Sequence, residues 1–350
     1  MSSSPPPRTL CLLRTSALGD ATHVVPLVRT LQTAFPQAKL TWLIGKPEHS
    51  LVGDIGGVEF ITFDKRAGLR AYHDVRRALA GRRFDALLQM QVALRSNLLS
   101  LCVPARRRIG YDRARSKDLH GWFVNERIPA RSGQHVLDAI GSFAAPLGLE
   151  QTEVVWDIPV PDEAREWAAA QWPDDGIPTL LISPCSSHAL RNWRAQRYAT
   201  VADHAAARGW RVALCGGPSP TERAMGDAIR AGMKTSPLDL IGKDTLKRAL
   251  ALYRRAGVLL TPDSGPMHMA NAVGPKVIGL HAASNPARSG PYSDRRWCVD
   301  RYDAAARKFL RRSAAEIPWG TKIEYPGVMD LVETDAVIER FEALAAGSGK

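Results

Sequence analysis

Short apolar runs alternate with amphipathic stretches along almost the whole chain, and the alternation runs through twice. Residues 9–13, 40–44, 58–63, 84–88 and 106–111 read as strands; helical patterns cover 21–35, 69–81, 94–103 and 133–147. A second series follows: strands at 179–183, 211–215, 238–240, 257–260 and 277–280, with helices at 194–208, 220–231, 244–255, after 265, and 334–346. Strands separated by helices pair in parallel through right-handed crossovers, so each series predicts a parallel sheet covered by helices on both faces. Between the two series lie Pro159, Pro161, Pro173 and Pro178 around one short helix, which marks the linker region. A chain of 350 residues also exceeds what one ordinary core serves. The expected architecture is α/β, two Rossmann-like doubly wound domains at 1–158 and 159–350 facing a central cleft. The Ser/Pro-rich residues 1–8 are expected to form a disordered leader. Open sheets of this kind bind ligands beyond the carboxyl ends of their strands.

Composition narrows the partners. Hydrophobic residues make up 45% of the chain and charged residues 23%, as in an ordinary globular protein. The 47 Lys and Arg against 35 Asp and Glu leave a net charge of +12, which favours an anionic partner. Nucleic acid is not expected, because the cations are dispersed and no ribonucleoprotein motif, zinc-finger spacing or basic heptad array is present. A phosphorylated substrate or phospholipid surface fits better; an Arg-favouring genome also explains part of the charge. The five cysteines (Cys11, Cys102, Cys185, Cys215, Cys298) show no CxxC spacing and read as thiols of a reducing compartment. No apolar run approaches the roughly 18 residues of a membrane span, and the N-terminus lacks a signal-peptide layout. A cytoplasmic protein is expected.

Four strand-to-helix turns carry the chemistry. Thr261-Pro262-Asp263-Ser264-Gly265-Pro266-Met267-His268 places Ser264 and Gly265 at a helix start, where backbone N–H groups favour a phosphate. An ordinary βα connection explains the same residues, and His268 is either a ligand to phosphate or a packed imidazole. Pro184-Cys185-Ser186-Ser187-His188-Ala189-Leu190-Arg191-Asn192-Trp193 offers the hydroxyls of Ser186 and Ser187 and the planar cation of Arg191 to an anion. Glu222, after Gly216-Gly217-Pro218, either accepts from ribose hydroxyls or is a first-turn carboxylate favoured by the helix dipole. In the first series, Arg14-Thr15-Ser16-Ala17-Leu18-Gly19-Asp20 opens a helix. Asp20 is an N-terminal cap or a general base, and His23 shares its face one turn on. The chain has no Asp-x-Asp pair, no G-x-G-x-x-G fingerprint and no Walker A sequence. Neither a carboxylate-held metal nor a nicotinamide or P-loop cofactor is therefore expected.

The turns at 14–20, 184–193 and 262–268, in order and spacing, resemble the signatures of glycosyltransferase family 9, the lipopolysaccharide heptosyltransferases, over essentially the whole chain. The resemblance implies the GT-B fold, with an acceptor-binding first domain and a nucleotide-sugar-binding second domain. It implies ADP-L-glycero-D-manno-heptose as donor and the anionic Kdo-containing inner core of lipid A as acceptor. By the same resemblance Asp20 is the general base of an inverting, metal-independent transfer without cofactor. Ser186, Ser187, Arg191, Ser264, Gly265 and His268 meet the diphosphate, Asp263 the sugar and Glu222 the ribose. Ser16, His23, Arg113, Arg115 and Lys117 are acceptor-side candidates, the last three equally explained by a solvated basic face. Arg191 stands where the family commonly carries Lys, and Cys185 where a smaller residue is usual. A monomer working at the inner-membrane surface is expected. The same fold using another sugar or a protein acceptor, or a catalytically silent nucleotide-sugar-binding protein, remains open at this stage.

Overall fold

A computed structural model of the protein describes residues 5–150 and 154–347. The chain divides into two compact units, Met1–Pro159 and Val160–Lys350. In the first, β1 (Thr9–Leu13), β2 (Lys39–Gly45), β3 (Val58–Phe63), β4 (Phe84–Gln89), β5 (Ala105–Gly110) and β6 (Glu126–Arg127) form a six-stranded sheet in the order β3-β2-β1-β4-β5-β6. In the second, β7 (Thr179–Ile182), β8 (Arg211–Leu214), β9 (Leu238–Asp239), β10 (Val258–Pro262), β11 (Lys276–His281) and β12 (Val299–Asp300) follow the order β12-β11-β10-β7-β8-β9. Both sheets are parallel throughout and have the same winding.

The central strands are apolar end to end because helices cover both of their faces. Leu10, Cys11, Leu12 and Leu13 of β1 are fully buried, as are Leu180, Leu181 and Ile182 of β7. The covering helices of the first unit are α1 (Leu18–Ala34), α2 (Lys46–Val52), α3 (Leu69–Ala78), α4 (Leu94–Ser100) and α5 (Val136–Gly141). Those of the second are α6 (Asp162–Ala169), α7 (Ala195–Ala207), α8 (Pro220–Gly232), α9 (Leu246–Arg255) and α10 (Gly265–Asn271), with a C-terminal helix at Thr334–Gly347.

Several boundaries differ from the periodicity reading for local reasons. The helix expected over 133–147 is α-helical only across Val136–Gly141 and tightens to a 3₁₀ turn at Ser142–Leu147. Gly133 sits at positive φ ahead of it, the His135 ring accepts from Leu137 N–H, and Pro146 has no N–H to continue the ladder. α9 starts two residues late because Thr245 caps it, its hydroxyl accepting from Arg248 N–H at 3.3 Å. That leaves Asp244 outside the helix. The two-residue edge strands β6 and β12 are too short for any period to mark them. Of the leader, residues 1–4 lie outside the described residues, and the chain is tied down from Arg8. Arg8 N–H donates to Asp85 at 2.7 Å and its carbonyl accepts from Lys39 N–H at 2.8 Å.

Trp193 anchors the C-terminal segment beneath the loop that follows β7. It is 1% exposed, meets the Tyr198 ring edge-on at 5.0 Å, and its indole N–H donates to the Val332 carbonyl at 2.9 Å. Trp193→Ala should destabilise the second unit by about 3–5 kcal/mol, read as a lower urea midpoint.

Candidate functional site

Each sheet reverses its winding between the two central strands, so the loops after those strands leave on opposite faces and open a crevice there. In the first unit these are the loops after β1 and β4. Thr15 donates through both its N–H and its hydroxyl to Gln91 Oε1, at 2.9 and 3.0 Å, and the Gln91 amide donates to the Ser16 hydroxyl at 2.8 Å. Gln91 thus stitches one loop to the other. Arg14 donates to the Ser16 carbonyl at 2.8 Å, to the Met90 carbonyl, and forms an ion pair with Asp20. Burial alone pushes the Arg14 guanidinium down, but the charges of Asp20 and Tyr111 outweigh it and raise it.

Asp20 sits in the first turn of α1, and its carboxylate accepts from the Ala17 N–H at 3.1 Å. Its side chain remains 30% exposed, so a structural role at the helix start leaves an oxygen within reach of a ligand. Glu48 of α2 is a second, buried carboxyl here, pushed up by burial and by the nearby Asp20 charge. Gly45 lets these groups meet. A Cβ there would lie 2.3 Å from the Thr15 carbonyl and 2.2 Å from Glu48 Oε2. His23 is buried against His135, ring centroids 5.6 Å apart. Arg115 is occupied: it pairs with Asp112, donates to Gln134 at 2.5 Å and to the Pro129 carbonyl at 2.9 Å, and lies over Tyr111. Arg113 and Lys117 are exposed.

In the second unit the loops after β7 and β10 flank the corresponding crevice. Arg191 donates through Nε and Nη2 to Glu324 Oε1, at 2.8 and 2.6 Å, and its Nη1 lies 3.6 Å from Asp263 Oδ2. A lysine at 191 would present one ammonium and could not fix both partners in a plane. Lys322 Nζ donates to Asp263 at 3.0 Å, and His188 Nε2 lies 3.4 Å from Glu324 Oε2. Burial works to raise Asp263, yet the charges of Lys322, His281 and His268 and a hydrogen bond from Ser284 hold it far below the usual carboxylate range. Burial pushes Lys322 down despite the same ion pair. Lys322 and Glu324 flank Ile323, which is buried in the core, and both reach this cluster.

The remaining candidates stand around this charge cluster. Ser186 N–H donates to Asn192 at 2.7 Å, which sets the loop's shape, and Ser187 is exposed. Ser264 precedes α10, its hydroxyl 3.0 Å from that of Thr261, and Gly265 opens the helix. Glu222 accepts from Gly217 N–H at 2.9 Å and from the Ser219 hydroxyl at 2.8 Å, while Ser219 accepts in turn from Glu222 N–H. Ser219 is thus the N-cap of α8, and Glu222 in the first turn accepts from its hydroxyl. The negative charge of Glu222 also reaches Cys185 and Asp244, which brings the loops after β7 and β8 and the approach to α9 together.

Sequence reasoning missed Lys322, Glu324, Asp244, Gln91, Tyr111 and Glu48. Lys322 and Glu324 lie in a proline-flanked stretch without a period, and nothing in the sequence links them to residues more than fifty positions earlier. Among the described residues no cluster of three or more His, Cys, Asp or Glu is arranged to hold a metal ion. The arrangement of the second unit suits a compact anion held by Arg191, Lys322 and hydroxyls. That of the first suits a hydroxyl-bearing ligand at an oriented carboxylate.

Residues 72–317 match glycosyltransferase family 9 (heptosyltransferase). The chain is 36% identical over 338 residues, 97% of each chain, to the lipopolysaccharide core heptosyltransferase OpsX of Haemophilus influenzae. Among solved structures it resembles a family 9 glycosyltransferase of Veillonella parvula (TM-score 0.80, 21% identity, 99% of both chains). It also resembles the ADP-heptose lipopolysaccharide heptosyltransferase II of Escherichia coli (TM-score 0.73, 19% identity, 98% of this chain and 100% of that one). The two structural likenesses establish the fold, which is GT-B.

Asp244 gives a pH dependence that can be measured. Burial, with a smaller contribution from Glu222, raises its carboxyl from 3.8 to about 7. Between those values the unfolded chain ionises Asp244 while the folded protein keeps it protonated, so stability should fall as pH rises through the window. Asp244→Asn should flatten that part of a denaturation-midpoint-against-pH curve; an unchanged slope would place the buried proton elsewhere.

Proposed function

This chain belongs to glycosyltransferase family 9, the heptosyltransferases, and on that premise we propose that it builds the inner core of lipopolysaccharide. In this reading it moves L-glycero-D-manno-heptose from ADP-heptose to the Kdo- or heptose-bearing core, with inversion at the anomeric carbon. The lipopolysaccharide core heptosyltransferase activity of the 36% identical Haemophilus influenzae relative supports the acceptor class. The charge cluster around Arg191 supports an anionic donor.

The acceptor hydroxyl oxygen attacks the anomeric carbon as the bond from that carbon to the diphosphate oxygen breaks. ADP departs with the electron pair, and Asp20 takes the hydroxyl proton. The observation that carries the reading is the Asp20 carboxylate, oriented by Arg14 and by the Ala17 N–H and still partly exposed at the end of β1. Arg191, Lys322 and His268 would meet the leaving charge, with Ser186, Ser187, Ser264 and Gly265 hydrogen-bonding the phosphates and no metal ion required. Asp263 would hold sugar hydroxyls. Glu222 would accept from the ribose, since two further lone-pair sites remain beside its capping contacts. On the acceptor side Ser16, Arg113 and Lys117 would meet the core, with Arg115 bracing the loop that carries them and His23 packed behind it. The reaction would take place at the cytoplasmic face of the inner membrane.

Purified protein given ADP-heptose and Kdo-lipid A, or an already heptosylated core, should release ADP; silence with both acceptors rejects the proposal. Asp20→Asn should lower kcat by about 10²–10⁴-fold while ADP binds as before. Arg191→Ala should show the converse, a weaker ADP affinity with Asp20 chemistry intact.

A further inference from the structure

Exposed large apolar side chains gather on one face of the first unit. On α4 and its C-terminal cap, Leu94, Leu98 and Leu101 recur at i, i+4 and i+7, a single helical stripe, and all three are exposed. The opposite side of the same helix buries Leu99 in the core. The turn that follows residue 117 lies against the start of α4, because Asp118 accepts from Leu94 N–H at 3.3 Å and its carbonyl accepts from Asn97 at 2.8 Å. That turn carries Leu119, exposed, and Trp122, 84% exposed. α3 packs beside α4 on the same core: the Tyr72 hydroxyl donates to the Arg95 carbonyl at 3.3 Å and the Cys102 thiol to the Tyr72 carbonyl at 3.7 Å. At its start stands Leu69, 87% exposed.

We propose that this face docks the protein onto an anionic lipid bilayer, with the leucines and Trp122 entering the headgroup–acyl boundary. The inference rests on the preceding reading only in that a lipid-borne acceptor gives docking a purpose. Cations accompany the apolar residues. Arg66, Arg70, Arg76, Arg77 and Arg95 are exposed on α3, on α4 and ahead of α3. Asp74 is held by Arg70 and Arg77, at 3.9 and 3.4 Å, and Asp118 is engaged by the α4 backbone. Arg76, Arg77 and His73 line an open groove of about 660 Å³ between α3 and the end of α4, with Leu101 at its edge. A headgroup phosphate suits that groove.

The interleaving favours lipid over a protein partner. Arginine stems lie along an apolar surface while their heads rise to phosphates, and several like-charged arginines together are drawn to an anionic leaflet. Exposed tryptophan is likewise at home at the membrane–water boundary. No helix among the described residues is long and apolar enough to cross a membrane, so contact would be interfacial.

Flotation with vesicles of phosphatidylcholine, alone or with phosphatidylglycerol, tests this without any sugar acceptor or donor. Wild-type protein should float with the anionic vesicles. Leu98→Ser/Leu101→Ser/Trp122→Ser should not, and Arg76→Gln/Arg77→Gln should bind roughly fivefold more weakly for each arginine removed. Both variants should bind ADP as wild type does and turn over a delipidated acceptor normally, which separates failed docking from failed chemistry or misfolding. Wild-type protein that ignores anionic vesicles, or variants that bind them equally, would overturn the proposal. So would wild-type self-association that the triple variant abolishes, since this face would then be a protein interface.

Discussion

The reversal of winding at the centre of each parallel sheet is the constraint on which the rest depends. Neighbouring strands that lead to opposite faces cannot cover the space beyond their ends, so the residues just past them are brought close but left accessible. In the first unit that space is bridged by Gln91, which holds Thr15 and Ser16 beside Asp20. In the second, Ser183 N–H continues the ladder to the Leu260 carbonyl at 3.1 Å, which aligns the ends of β7 and β10. The Arg191 and Asp263 loops therefore start side by side. Their proximity follows from strand pairing rather than from any attraction between the loops.

The charges gathered at these places would be costly to bury singly. Asp263 is 7% exposed, and it stays ionised because Lys322, Arg191 and two histidines surround it. Lys322 in turn loses some basicity to burial, so the pair works as a unit whose halves compensate each other. Glu324 does the same for Arg191 and His188. The result is a set of cations held in place by balancing carboxylates, which would limit the reorganisation required on binding the proposed diphosphate.

Several site residues also serve the scaffold. Glu222 accepts from the hydroxyl of Ser219, the cap of α8, Asp20 accepts from its own helix start, and Ser186 is tied to Asn192. Reading Asp20 as either a cap or a base posed a choice that the geometry does not require, because a carboxylate has capacity for both. Arg115 shows the reverse. It reads as a free cation in sequence but spends its donors on Asp112, Gln134 and Pro129, which ties the segment after β5 to its neighbours.

The sequence by itself determined the class of fold, because strand and helix differ in period and parallel pairing follows from their alternation. β3 is found at Val58–Phe63, the span its apolar pattern marks, and the turns at 14–20, 183–193 and 261–268 fall at strand ends as their Gly, Ser and Pro content indicates. Within those turns Asp20, Arg191 and Asp263 could be named, since each lies a few residues from the strand that positions it. Only the tertiary structure decided what they touch. Lys322 and Glu324 join Asp263 and Arg191 across 59 and 133 positions, through a segment with no regular pattern. The exposed leucines of α4 likewise look in sequence like core residues. Hydrophobic period marks which residues share a face, but which face meets water and which distant charges meet each other is set by packing.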